Sequence, residues 1–454
     1  MRNEAQVRRS LAAAATTLVL SLSMAACGNS GGVGGSSAAG QATVAAGQKV
    51  TLNYWTWFPA QATVQKSIAA FEAANPNITV KLREFSNTDY QKELPLALNG
   101  GQSLDVVGVQ ISAMTNTVSS RLRPVTDWQK DLPAGWQGKL NSTMVAQTQK
   151  IAKSDTLYSV PMGSIGSAVV YSNADVLKKL GIAFPTTGAE LAAAVTKVKA
   201  AGGGVAPVVF SGESWWQDEM FFTVADQIDP SLSDELYTGK VAWNSPQLVK
   251  ALTDYQNLFS KGILDKGTLS LKEADADNQF NAGKAAFLVE GSWDSSVLSS
   301  AYRQANGISV GNVGAGAFPV VVDGGKPAAR TYAEGGLAIP KSSKYPAQAA
   351  KFIQFMALDP AGVNTWASDL VLVPSLSGYQ VDPSVLTTPE AQTGYAAIQS
   401  LISAGGSGRG QYSTTFTSDV LDNKLLDVAR GKTSPQAAAS SLQSSWTSGR
   451  YPVQ

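Results

Sequence analysis

Residues 49–85 read KVTLNYWTWFPAQATVQKSIAAFEAANPNITVKLREF. Val50, Leu52 and Tyr54 alternate with Thr51, Asn53 and Trp55, the period-two pattern of a strand. Val64, Ile68 and Phe71 then recur at spacings of four and three, which is the apolar face of a helix, and Asn75–Asn77 with its central proline stops it. ITVKLREF is a second strand. Strand, helix, strand at these lengths is the repeating unit of an α/β protein.

The rhythm continues along the chain. Tyr90–Asn99 reads as a helix despite Pro95 and is closed by Gly100 and Gly101; LDVVGVQ (104–110) is a third strand. Thr187 and Glu190 form a capping box for a helix that runs to the glycines at 202–204, followed by the strand VAPVVFS (205–211). Ser245-Pro246 opens a helix that Gly262 ends. KAAFLVEGSW (284–293) and GGLAIPKS (335–342) are strands; YPAQAAKFIQFMAL (345–358) and SPQAAASSLQSSW (434–446) are helices. The expectation is α/β architecture with mainly parallel sheets, and a structured length of roughly 400 residues divides into two lobes.

The bulk chemistry excludes much. The chain has 454 residues, a net charge of +1, 44% hydrophobic and 15% charged residues, so it is globular and gives no reason to expect nucleic acid as a partner. There is no histidine and one cysteine, Cys27. That removes an intramolecular disulfide framework, the Ser–His–Asp and Cys–His nucleophile arrangements, and nearly all zinc chemistry. No cofactor and no metal is expected.

Cys27 has another use. Arg2, Arg8 and Arg9 precede the apolar run Leu11–Ala26, which is too short to span a bilayer comfortably and has the build of a secretory signal over residues 1–26. The cut site MAAC looks like the lipobox of bacterial lipoproteins, whose cysteine is diacylated, and Arg8-Arg9 leaves Sec and twin-arginine export both open. Residues 27–48, rich in Gly and Ser, read as a flexible lipoprotein tether.

The aromatic residues point to a ligand. In an α/β sheet, ligands sit beyond the carboxyl ends of the strands. Three strand ends deliver tryptophan there: Trp55 and Trp57 after the first strand, Trp215 and Trp216 after Ser211-Gly212-Glu213, and Trp293 after Glu290-Gly291. Strand alternation places Trp55 and Trp57 on one side and Tyr54 and Phe58 on the other. Flat apolar rings interleaved with carboxylates suit a sugar, whose C–H face stacks on indole while its hydroxyls hydrogen-bond.

From Lys49 onward the chain also resembles the bacterial extracellular solute-binding proteins that feed ABC sugar importers, the family that includes the periplasmic maltose-binding protein. The likeness is carried by AFEAANPNITV (70–80), YQKELPLALNGGQSLDVV (90–107) with Asp105, YSVPMGSIGSAVVYSNADVLKKLGI (158–182) with PTTGAEL (185–191), QFNAGKAAFLVEGSW (279–293) and ARGKTSPQAAASSLQ (429–443). This chain inserts Ser172 between the family's Tyr171 and Asn173. The resemblance implies a two-lobe, periplasmic-binding-protein-like fold with a hinge. Lobe I would comprise 49–163 plus 335–373, and lobe II 164–334 plus 374–454. Crossings would lie near Val160–Ile165, Tyr332–Leu337 and Val371–Pro374.

It implies a ligand cleft with the stacking tryptophan at Trp293, an aromatic site at Trp215 or Trp216 beside Glu213, and a polar cluster at Gln110 and Ser112. Maltose-binding relatives often carry Asp and Arg in that last place, so the hydroxyl pattern recognised here should differ. Trp55, Trp57, Glu290 and Glu334 complete the candidate ligand set. Gly406–Tyr412 reads as a loop that can bring Arg409 or Tyr412 to the cleft.

The implied function is a non-catalytic carbohydrate receptor. It would be a monomer, lipid-anchored through Cys27 to the outer face of the cytoplasmic membrane, delivering sugar to the permease subunits of an ABC importer. Two readings stand against it. One is a secreted glycosidase or lyase using carboxylates among Glu213, Asp218, Glu219 and Glu290. The other is a receptor for a non-sugar solute: a polyamine, whose site would be richer in carboxylates, a phosphate ester, or iron.

Overall fold

The computed structural model describes residues 47–405 and 414–451. The proposed signal peptide, Cys27, most of the tether, and the loop residues Arg409 and Tyr412 lie outside the described residues. Among the described residues ten strands form two sheets: β1 (Val50–Thr56), β2 (Ile78–Glu84), β3 (Val106–Gln110), β4 (Val160–Gly166), β5 (Val169–Asn173), β6 (Ala206–Phe210), β7 (Ala285–Glu290), β8 (Val313–Ala317), β9 (Thr331–Ala338) and β10 (Val373–Pro374). The larger sheet has the order β10-β4-β9-β3-β1-β2 and the smaller β6-β7-β5-β8. Each is wrapped by helices, giving the two-lobe α/β fold.

The alternation in β1 sorts its side chains as expected at first: Val50, Leu52 and Tyr54 are buried while Thr51 is exposed. Tyr54 packs edge-on against Phe352, 5.3 Å between centroids, in the core built with Val64, Ile68 and Phe71. The other face of the sheet is closed by the helix Asn87–Asn99, which presents Tyr90, Leu94 and Leu98 and accommodates Pro95. Both faces are therefore covered over β3, which is buried throughout, whereas the edge strand β2 keeps Thr79 and Lys81 exposed. Local signals hold elsewhere: Thr187 and Glu190 make the reciprocal capping box at Gly188–Ala201, and Pro246 opens the helix Pro246–Ser260 after a Ser245 cap.

The expectation of mainly parallel sheets is corrected. β1 pairs parallel with β2 and β3, and β6 with β7. The β3–β9, β4–β9, β4–β10, β5–β7 and β5–β8 pairs are all antiparallel. The reason is the path of the chain. β9 returns to the larger sheet from the other lobe and slots between β3 and β4 in the opposite sense, and β5 runs counter to both of its neighbours. The stretch GGLAIPKS is thus only the second half of a longer strand that starts at Thr331. β10, β4 and β9, the three segments expected to cross between lobes, lie side by side.

Arg330, just before β9, is fully buried and bonds Asp218 at 2.8 Å and Glu219 at 3.6 Å on the helix Ser214–Asp226. Ser167, just after β4, donates to Glu219 at 2.6 Å, and its N–H meets the Arg330 carbonyl at 2.8 Å. A buried ion network thus ties two of these segments together where they leave the larger sheet.

Candidate functional site

A cavity of about 610 Å³ opens between the two lobes. The larger-sheet wall carries Trp57, Phe58, Asn87, Thr88, Gln91, Gln110, Ser112 and Glu334; the opposing wall carries Glu213, Trp215, Glu273 and Trp293. Another cavity, about 670 Å³ beside β8, takes its walls only from around the smaller sheet. Convergence of polar groups and rings from both sides marks the first as the candidate site.

Its aromatic floor depends on a turn and on glycines. Strand alternation stops at Thr56, whose hydroxyl donates to the Phe58 carbonyl at 2.6 Å and accepts the Phe58 N–H at 3.2 Å. That turn sends Trp57 and Phe58 together to the cavity. Trp57 lies over β3 and β9 where side chains are missing. A Cβ on Gly108 would come within 3.1 Å of the indole, and one on Gly335 within 3.3 Å. A Cβ on Gly163, at the bulge in β4, would sit 3.3 Å from Phe58. Tyr90 supports Trp57 from the side, 5.2 Å between centroids. Trp55 goes elsewhere: at 5% exposure it is a core residue against Phe85, 4.8 Å away, with the Arg83 guanidinium stacked over it. Two residues apart on one strand, the pair was expected to act together; the turn separates them.

On the opposite wall, β6 ends at Phe210 and the next helix begins at Ser214. Trp215 is 37% exposed and lines the cavity, whereas Trp216 is wholly buried in the core. Trp216 nonetheless supports the site, packing at 5.8 Å against Trp215 and 5.9 Å against Trp293. Trp293 folds back over Gly291, where any Cβ would collide with its ring. The loop is pinned by Tyr171, whose hydroxyl donates to the Gly291 carbonyl at 3.0 Å, and by Ser292, which accepts the Gly166 N–H at 3.0 Å.

The polar groups form two nets. Gln91 donates to Gln110 Oε1 at 2.6 Å, and Gln110 Nε2 donates to Glu334 Oε1 at 2.9 Å. Ser112 reaches the same Gln110 oxygen at 3.4 Å and also caps the helix Ala113–Val118. Across the cavity, Glu213 Oε2 accepts the Glu273 N–H at 2.9 Å, so Glu213 holds the start of the helix Glu273–Asn281 as well as facing the cavity. Glu273 accepts a side-chain hydrogen bond from Trp293; burial, and then the Glu213 charge, push its carboxyl up from the ordinary range.

Behind that wall lie Asp277, Glu290 and Asp294. Burial raises all three; neighbouring carboxylates add to it, Asp294 first for Asp277 and Glu290, and Glu273 for Asp294. Glu290 is wholly buried, accepts the Gly291 N–H at 3.0 Å and does not reach the cavity. Of the expected ligand set, the structure gathers Trp57, Gln110, Ser112, Glu213, Trp215, Trp293 and Glu334. It leaves Trp55, Trp216 and Glu290 behind in the packing. Asn87, Thr88, Gln91 and Glu273 were not foreseen. The first three follow the carboxyl end of β2, where the strand-end rule applies equally; Glu273 has no such signal. Among the described residues, no group of three His, Cys, Asp or Glu is placed to hold a metal ion.

Residues 55–363 match the family described as bacterial extracellular solute-binding protein. The glucose-binding protein GlcS of Saccharolobus solfataricus is 29% identical over 164 residues, 34% of this chain and 29% of that protein's length. The chain therefore matches less than a third of this curated relative. Among solved structures, maltose-bound MalE3 of T. maritima superposes with a TM-score of 0.72 at 19% identity, covering 87% of this chain and 99% of the other. A structure from work on xylan utilization by Caldanaerobius polysaccharolyticus gives 0.71 at 19% identity, covering 87% and 100%. At those identities the two structures share the fold.

Proposed function

Because the chain belongs to the bacterial extracellular solute-binding proteins, we propose that it captures a sugar or oligosaccharide between its lobes and hands it to the permease of an ABC importer. The observation that carries this reading is the convergence of Trp57, Trp215 and Trp293, from three separate strand ends, on one cavity with carboxylates and amides between them. Indole faces stack on sugar rings while Gln110, Ser112, Glu213, Glu273 and Glu334 take the hydroxyls. The likeness in fold to a maltose-bound protein and the partial match to a glucose-binding protein support a carbohydrate ligand.

The lobes are 49–163 plus 335–373 and 164–334 plus 374–454, and β10, β4 and β9 carry the hinge. Bound sugar favours the closed state because it touches both walls at once. The protein is extracytoplasmic, acts as a monomer, is held to the outer face of the cytoplasmic membrane by lipid on Cys27, and performs no chemistry on its ligand.

Titrating the purified protein with a panel of oligosaccharides, while following tryptophan fluorescence and product, tests this. Saturable quenching with sugar recovered unchanged is expected. Turnover would instead establish the hydrolase or lyase reading, and silence across the panel would refute a sugar ligand. Cys27→Ser should release the protein from the membrane fraction.

A further inference from the structure

We propose that the ligand of this cavity is a carbohydrate bearing a protonated amine, with its ammonium seated between Glu213 and Glu273. This rests on the sugar-receptor reading of the same cavity.

The ionisable groups facing the cavity are Glu213 and Glu273 on one wall and Glu334 on the other. Among the described lining residues there is no lysine or arginine. The hydrogen bonds given to the first pair come from neutral donors: the Glu273 N–H and the Ser211 hydroxyl, at 2.9 and 3.4 Å from Glu213 Oε2, and a side-chain bond from Trp293 to Glu273. On the opposite wall Glu334 accepts from the amide of Gln110. Nearby guanidiniums are engaged elsewhere. Arg83 lies 4.5 Å above both Trp55 and Phe85, and Arg330 is held by Asp218.

Behind the same wall stand three more acids, Asp277, Glu290 and Asp294, which burial pushes toward their neutral, protonated form, so that side supplies no opposite charge to Glu213 and Glu273. A neutral sugar would leave these carboxylates desolvated on closure with no opposite charge, a cost of several kcal/mol per ion in general. An ammonium removes that cost, relieves the repulsion between Glu213 and Glu273, and finds the faces of Trp215 and Trp293 beside it for cation–π contact.

Calorimetric titration of the purified protein with 2-amino-2-deoxyglucose oligomers, against glucose oligomers of the same linkage and length, tests the proposal. At about pH 6 the amino sugars should bind about tenfold or more tightly than their neutral partners, the scale of one charge-assisted hydrogen bond. Raising the pH above the amine's own pKa should erase the preference. Glu273→Gln should narrow the ratio, and Glu213→Gln should do so again, with circular dichroism reporting the fold of each. Equal affinities, a neutral preference, or a ratio insensitive to both substitutions would overturn the inference and leave the sugar-receptor reading standing. No saturable heat from either set would overturn both.

Discussion

Trp57→Ala should weaken sugar binding and spare the fold; Trp55→Ala, two residues earlier, should do the reverse. Trp57 is half-buried and presents its ring to the cavity from a seat over Gly108 and Gly335. Losing it removes a stacking partner and the apolar area it covers on a bound sugar, about 1–3 kcal/mol, or about a 5- to 150-fold rise in Kd. Its packing against Tyr90 is lateral, so the melting temperature should move by a few degrees at most. Trp55 is 5% exposed among Phe85, Tyr90 and Leu94. Truncating a buried indole costs about 3–5 kcal/mol, which should lower Tm by on the order of 10 °C while Kd at low temperature stays within about twofold. Scanning calorimetry and titration calorimetry on the two variants side by side give both quantities. If Trp57→Ala lowers Tm as far as Trp55→Ala and leaves Kd unchanged, Trp57 is packing and the assignment of the two faces is wrong.

Three other perturbations separate the parts of the account. Arg330→Met leaves the buried Asp218 and Glu219 without their cation and should cost about 3–5 kcal/mol in a urea titration; a loss under 1 kcal/mol would mean the network is inessential. Gly108→Ala puts a Cβ 2.7 Å from Thr56 Oγ1 and 3.1 Å from Trp57, so about 1–3 kcal/mol of strain should appear together with weaker sugar binding; tight binding at full stability would refute the glycine seat. The Asp277 and Asp294 carboxyls, pushed well above the ordinary carboxylate range chiefly by burial, hold protons that the unfolded chain has released by about pH 5. Folding therefore takes up protons, this contribution to stability is fully present below about pH 4, and Tm should fall as pH rises from there through neutrality. Asp294→Asn should flatten that slope, and an unchanged slope would place the effect elsewhere.

Local periodicity carried the elements well because it records burial directly. Val64, Ile68 and Phe71, the Thr187–Glu190 box and the Ser245-Pro246 start all mark real boundaries. Strand direction was not legible, since a parallel and an antiparallel neighbour bury the same apolar faces. Only the return path through Thr331–Ala338 decides it. The site was legible to the level of strand ends and no finer. Trp57 and Trp55 differ by one hydroxyl-closed turn at Thr56, and Trp215 and Trp216 by adjacent positions on one helix. Alternation along a strand forecasts neither separation. Glu290 carries the right chemistry but sits one residue short of the loop that reaches the cavity, its carboxyl turned back onto the Gly291 N–H. Glu273 arrives from a helix start far in sequence from any aromatic cluster and is placed by its N–H bond to Glu213 and by the Trp293 side chain.

The central claim is that indoles from both lobes hold one sugar between them. A crystal structure of the protein grown with its tightest-binding oligosaccharide tests it most directly. The account predicts a sugar ring about 4 Å from the faces of Trp57 and of Trp215 or Trp293, with hydroxyls or an amine on Glu213 and Glu273. A ligand held by one lobe alone, or bound away from these rings, would contradict it.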